Sequence, residues 1–345
     1  MMKKLLNTLY VLSEDLYLAL DNENVAAKRE GEIVGRVPLH TLTAIISFSY
    51  LGASPALMGE CAERGIALSF FNPRGKFLAD VHGERYGNVS LRRLQHKMTS
   101  DREKSVPIAR NFILGKVYNS KWVLERARRD HGLRIDCGSV ELACSKMANS
   151  LERIRVCEDL DSLRGIEGDA AAAEYFSVFD ELILRNKEAF FYRGRSRRPP
   201  CDRVNAMLSL FYSVLARDCS YALEGVGLDP YFGFLHVDRP GRRSLALDLM
   251  EELRPVFVDR FVITAINNQI VSEHSFEELP TGETYLSEKG RRALFDSWQE
   301  RKRSMITHPF LKEKIPRGLV PHIQAQLLAK AMRGEIDGYP PFLWK

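Results

Sequence analysis

The chain has 345 residues, 45% of them hydrophobic and 28% charged, with a formal net charge of +5. This balance excludes disordered, collagen-like and membrane-embedded classes, and the length favours two domains over one small core. The six cysteines form no CxxC pair and no zinc-finger spacing with histidine, so they read as reduced thiols rather than a disulfide or zinc framework.

In MMKKLLNTLYVLSEDLYLAL, Asn7, Ser13, Glu14 and Asp15 break the apolar run before a signal-peptide core can form, and no later run is long enough to span a membrane. A cytoplasmic location and no membrane partner are the expectation. TLYVLS, LYLAL, NVAAKREGEIVGRVPL and ALSFFNPRGKFLADVHG are short runs rich in Val, Ile, Leu, Tyr and Phe, separated by turn signals, and predict strands. SPALMGECAERG predicts one capped helix ending at Gly65. After Asn88 long amphipathic segments take over; in α-helical register, Val204, Leu208, Phe211 and Leu215 step by four, three and four. The expected fold class is α+β: a β-sandwich-like N-terminal domain over 1–88, followed by a mostly α-helical C-terminal domain over 89–345. The two prolines of the final DGYPPFLWK forbid a helix, and its Phe342, Leu343 and Trp344 are costly in water, so this tail is expected to dock on the domain.

Charge is uneven. Residues 1–90 hold 9 basic and 10 acidic side chains, leaving 41 basic against 35 acidic for the remainder. The excess is dense in RNKEAFFYRGRSRRPP, RRLQHK and ERKRS, patches that suit a polyanion as well as a solvated helix face. The near-neutral N-terminal part gives DNA no electrostatic reason to bind, and its strand edges and apolar face suit self-association instead.

Several chemistries drop out: there is no GxxxxGK[ST], HExxH or GxSxG, and the GxG of EGVGLDP lacks the third glycine of a dinucleotide loop. The informative stretch is GFLHVDRPGRRSLALDLMEELRP, residues 233–255. Read as structure alone, Ser244 caps a helix whose Leu245, Leu249 and Leu253 form the apolar stripe while the acids face solvent. That leaves His236 unexplained, and Asp248, Glu251 and Glu252 concentrate negative charge at i, i+3 and i+4. Carboxylates with one imidazole suit a hard divalent ion, Mg²⁺ or Mn²⁺. A second element must close such a site. Glu167 in LRGIEGDAAAAEYF is the best choice, because Gly165 and Gly168 allow close approach where a helix is expected to begin, and Glu174 is the reserve.

LRGIEGDAAAAEYF, RRPPCDRVNAMLSLFYSVL and GLDPYFGFLHVDRPGRRSLALDLMEELRPVFVDR, in this order and spacing, resemble the CRISPR-associated integrase/endonuclease, protein number one of the adaptation module; details of the motifs look most like the type I-C version. The resemblance implies an N-terminal β domain, a helical C-terminal domain, a homodimer, and a complex with the small CRISPR-associated protein two. It also implies metal-dependent insertion of short double-stranded DNA fragments into the repeat array. The family's metal-binding glutamate falls on Glu167, its histidine on His236 and the acid of the following helix on Glu251. Asp248 matches a further acidic position, making Glu167, His236, Asp248 and Glu251 the implied catalytic set. Arg239, Arg242 and Arg243 follow the histidine closely enough to reach phosphates, and Arg193, Arg195, Arg197 and Arg198 extend the basic track. Two other readings fit the same residues: a structure-specific DNA-repair nuclease that needs no small partner, and a noncatalytic DNA-binding scaffold whose acids offset neighbouring arginines.

Overall fold

The computed structural model describes residues 8–73, 76–81, 83, 89–196 and 199–345. The N-terminal part forms β1 (Thr8–Val11), β2 (Tyr17–Asp21), β3 (Asn24–Arg29), β4 (Glu32–Pro38), β5 (Ala44–Ser47), helix α1 (Pro55–Glu63), β6 (Ala67–Phe71) and β7 (Phe77–Val81). Two sheets result: an antiparallel β2-β3-β4 sheet, and a mixed sheet of order β1-β5-β6-β7 in which only the β6–β7 pair is antiparallel. The tight turns come from local chemistry. Asn22 and Glu23 both take positive φ between β2 and β3, as Glu30 and Gly31 do between β3 and β4, the backbone that short hairpin loops require. Ser54 caps α1 by accepting the Leu57 N–H, and the helix closes on Gly65 at φ +65°, as its sequence signals indicate. Leu18, Val25, Ile45, Leu57 and Leu68 fill the space between the sheets and α1, giving the expected sandwich-like layering.

The helical part comprises α2 (Val89–Thr99), α3 (Arg102–His131), α4 (Cys137–Val156), α5 (Leu160–Glu167), α6 (Arg203–Gly225), α7 (Ser244–Arg254) and α8 (Arg260–Asn267). It continues with hairpin β8 (Phe276–Glu278) and β9 (Thr284–Leu286), α9 (Glu288–Arg303), hairpin β10 (Met305–Thr307) and β11 (Lys314–Pro316), and α10 (Val320–Met332). Asp101, Asp136, Asp159 and Asp202 start α3, α4, α5 and α6 with side-chain caps. The 30-residue α3 runs through the centre, against α4, α5 and α7.

One hydrophobic core joins the two parts. Leu12, Ile46, Phe48 and Phe71 on the outer face of the mixed sheet belong to the same cluster as the helices, with Phe48 and Tyr10 against Phe295 of α9 at ring separations of 5.4 and 4.4 Å. Asp80 of β7 accepts from Arg217 of α6 at 3.0 Å and from Arg243 at 2.6 Å. The apolar face that the strand pattern offered for self-association is thus covered from within the chain. The outer β4 keeps Ile33 and Val34 exposed, and Tyr50, Leu51 and Leu78 are exposed elsewhere in the N-terminal part.

The tail is docked as expected. Asn119 of α3 donates to the Phe342 carbonyl and accepts the Trp344 N–H at 2.9 Å, while the carboxylate of Glu252 on α7 accepts the Phe342 N–H at 3.0 Å. Tyr339 and Gln324 also donate to Glu252. Burial pushes the Glu252 carboxyl up to about 7, only partly offset by those donors.

Candidate active site

Helix α7 is buried all round. Asp248, Glu251 and Glu252 are 0, 7 and 0% exposed, so the acids do not face solvent. Nor does Ser244 cap it: this residue is the first helical one and its hydroxyl donates to the Val237 carbonyl at 3.3 Å. The Pro230 carbonyl takes the free N–H groups of Leu245 and Ala246 instead. The three acids also diverge. Asp248 turns to the preceding loop, Glu251 to α3, and Glu252 to the tail.

The Asp248 carboxylate organises the loop that carries His236. One oxygen accepts the Phe234 and Leu235 N–H groups at 2.7 and 3.0 Å; the other accepts the His236 N–H at 3.0 Å and pairs with His236 Nδ1 at 2.6 Å. With the carboxylate accepting, Nδ1 carries a proton and Nε2 is the ring nitrogen that Asp248 leaves unengaged. Gly233 makes the approach possible, since a Cβ there would lie 2.7 Å from Ser244 Cβ and 2.8 Å from Asp248 Oδ2. Two further groups hold the loop: Arg164 of α5 donates twice to the Leu235 carbonyl, and Gln95 of α2 clasps Asp229 and Phe232.

Glu167 and Glu251, far apart in sequence, meet on one cation. The Lys116 ammonium of α3 donates to Glu167 and lies 2.5 Å from Glu251 Oε2. Arg254, one turn along α7, supports Glu251 from behind at 3.4 Å. Burial alone raises the Glu251 carboxyl, but Lys116, Arg254 and His236 outweigh it and hold the group down at about 2. The folded-state value lies below the ordinary one, so this group contributes stability above about pH 4.5 that is lost as pH falls towards 2, on the order of 3 kcal/mol. Replacing Lys116 with Met is expected to flatten that acid limb in denaturant unfolding measured from pH 5 to 2. An unchanged limb would show that Lys116 is not the charge that holds Glu251 ionised.

Glu167 does not begin a helix; it ends α5, which widens directly into a π-helical stretch, Gly168–Tyr175. Neither Gly165 nor Gly168 is closely approached by a neighbour. Glu174 pairs with Lys146 at 3.0 Å, away from this cluster. Among the described residues no three carboxylate, imidazole or thiol groups converge as a ready-made metal cage. What the chain brings together is two carboxylates on one ammonium, with the Asp248-held imidazole beside them. A divalent ion suits this donor set, provided the Lys116 ammonium yields its place between the carboxylates.

The arginines divide. Arg193 and Arg239 are exposed and Arg242 is half-buried. Arg195 turns inward to Asn205 and Ser209, and Arg243 is held by Asp80 and Ser220. Arg197 and Arg198 lie outside the described residues. Reasoning from sequence missed Lys116, although a signal exists. Ile108, Phe112, Lys116, Asn119 and Val123 recur at helical spacing, so a lysine and an asparagine occupy core positions of an apolar stripe.

The family model described as CRISPR associated protein Cas1 matches residues 9–300. A protein of Rhodospirillum rubrum named CRISPR-associated endonuclease Cas1 2 is 48% identical over 348 residues, covering 100% of both chains. Among solved structures, a casposase bound to integration product superposes with a TM-score of 0.82 at 22% identity, over 98% of this chain and 94% of that one. A partial Cas6-RT-Cas1–Cas2 complex gives a TM-score of 0.63 at 25% identity, with 98% of each chain covered.

Proposed function

The chain belongs to the Cas1 family of CRISPR-associated proteins, and we propose that it is an endonuclease and integrase of CRISPR adaptation that inserts short DNA fragments into the repeat array. The observation that carries this reading is the meeting of Glu167 and Glu251 on one buried cation, beside an imidazole that Asp248 holds by Nδ1. Glu167, His236 and Glu251 would hold Mg²⁺ or Mn²⁺, which supplies Lewis-acid polarisation of the scissile phosphate. The protein's own part is positional. Asp248 holds His236 with Nε2 free, Lys116 and Arg254 keep Glu251 ionised, and Arg164 fixes the loop. A DNA 3′-hydroxyl forms the new P–O bond, loses its proton, and displaces the 3′-oxygen of the repeat strand; water in its place gives nicking.

Arg193, Arg239 and Arg242 are the cations free to follow the DNA backbone, whereas Arg195 and Arg243 serve the fold. Arg239→Glu with Arg242→Glu is expected to weaken binding to every duplex sequence and to lower the salt slope by about 2, at 0.9 per lost phosphate contact. Gel shifts at two salt concentrations measure it, and an unchanged slope would remove these two from the interface.

The small CRISPR-associated protein two is the proposed partner, consistent with the Cas1–Cas2 assembly in the partial complex. A homodimer built through the β domain, a cytoplasmic location and membership of type I-C complete the reading. The dimer is supported by the exposed β4, the location by the lack, among the described residues, of a helix long and apolar enough to cross a membrane, and the subtype by details of the same motifs. Light scattering reads the dimer as twice the chain mass. The decisive experiment is metal-dependent strand transfer into supercoiled repeat DNA by the chain with its small partner. Nicking without strand transfer would favour a repair nuclease, and neither activity would favour a binding scaffold.

A further inference from the structure

Lys116 occupies an unusual place for a lysine. It sits on the apolar stripe of α3 between Phe112 and Asn119, with its side chain 6% exposed, and among the described residues its ammonium pairs with Glu167 and Glu251. The two carboxylates come from α5 and α7, so this one cation neutralises a pair that would otherwise repel across the two helices. Glu167 and His236 are the more open members of the cluster, their side chains 28 and 21% exposed, so an ion or a strand arrives past them and Lys116 lies at the closed end. The same oxygens serve the ammonium and a hard divalent ion. If the ion takes them, Lys116 keeps its charge and loses both described partners, and an unpaired buried ammonium is costly. The exchange is therefore unfavourable until another anion reaches the lysine.

We propose that Lys116 is a resident counter-ion that holds the carboxylate pair against a divalent ion until a DNA phosphate arrives to take the ammonium, so that metal and DNA bind cooperatively. The exchange moves no proton and makes or breaks no covalent bond. The ion replaces the ammonium on Glu167 and Glu251, and the phosphate replaces the two carboxylates on the ammonium. The flexible four-carbon stem lets that charge swing while α3 stays where it is. The coupling is reciprocal: DNA tightens the metal by the factor by which the metal tightens DNA. The free chain thus stays poor in metal, and the loaded site forms on DNA. The inference deepens the reading of this chain as a metal-dependent DNA-processing enzyme and rests on it.

The test titrates the full chain with Mn²⁺, read by the electron paramagnetic resonance signal of the free ion, alone and with a saturating short blunt duplex, the ion held by the duplex itself being subtracted. For the wild type, the duplex is expected to tighten Mn²⁺ binding about tenfold or more. Lys116→Met removes the charge and keeps an unbranched stem; it is expected to bind Mn²⁺ at least about tenfold tighter than the wild type without DNA, and to gain less than about threefold from the duplex. Lys116→Arg keeps the charge and should bind Mn²⁺ no more tightly than the wild type, which separates charge from packing. Wild-type Mn²⁺ affinity that ignores the duplex overturns the proposal whatever the variants do. So does a full duplex effect in Lys116→Met, which assigns the coupling to phosphate bound on the ion itself. Plasmid nicking by the wild type is read separately. If it nicks with Mn²⁺ while Lys116→Met matches it in both titrations, the role of the lysine alone is wrong; a wild type that takes up no Mn²⁺ in either titration and never nicks overturns the metal-dependent reading and the proposal together.

Discussion

His236→Ala is expected to lose metal-dependent nicking and strand transfer by more than about 100-fold, since even partners one shell removed from a metal are commonly worth 10- to 100-fold. DNA affinity should be nearly unchanged, because phosphates are held by several arginines and none of those contacts runs through the imidazole. The structure sharpens this division of labour. His236 is 21% exposed at its side chain, and it is anchored by one carboxylate on its inner nitrogen. Alanine there removes the outer nitrogen and leaves the backbone contacts of Asp248 in place, so folding should survive. Gel-shift titration beside a plasmid-nicking time course decides the matter. Affinity falling as far as activity would mean that the histidine belongs to the DNA grip.

Asp248→Ala is expected to be the most destabilising single change in the site, on the order of 4 kcal/mol or more. The Asp248 side chain is fully buried and accepts three backbone N–H groups besides pairing with the ring of His236. Removing it strands three buried donors, each costing about 1–3 kcal/mol. Asp248→Asn should recover part of this, since it keeps one acceptor oxygen while turning an amide nitrogen towards other donors. Urea denaturation of the three proteins measures the order. An alanine variant within 1 kcal/mol of wild type would show that water or a shifted loop supplies the missing acceptors.

Much of this was legible from the chain alone. Strand runs broken by turn residues gave way to long amphipathic periods after Asn88, and the helix over 203–225 buries the residues its periodicity selected, Val204, Leu208, Phe211 and Leu215. Glu167, His236, Asp248 and Glu251 were singled out by the resemblance of their motifs, since a lone histidine among scattered acids is by spacing alone more often structural. Where each acid points was not legible. Side chains at i, i+3 and i+4 start from one face, and only the surrounding elements send Asp248 to a loop, Glu251 to α3 and Glu252 to the tail. The same limit explains the arginines. Composition marks a basic run but cannot separate Arg239, which stays in water, from Arg243, which a carboxylate of β7 captures from the other end of the chain.

That capture has a mechanical consequence. Asp80 grips Arg217 and Arg243 together, Ser69 hydrogen-bonds Tyr221, and Arg291 of α9 reaches the Pro73 carbonyl at 2.5 Å. Arg243 is also the residue from which α7 departs. With aromatic packing along the same seam, the described contacts tie the strands to α6, α7 and α9 at several points. If two copies join through their strands, the distance between their reactive centres is then set by the join itself, as the opening of a locked caliper is set by its frame.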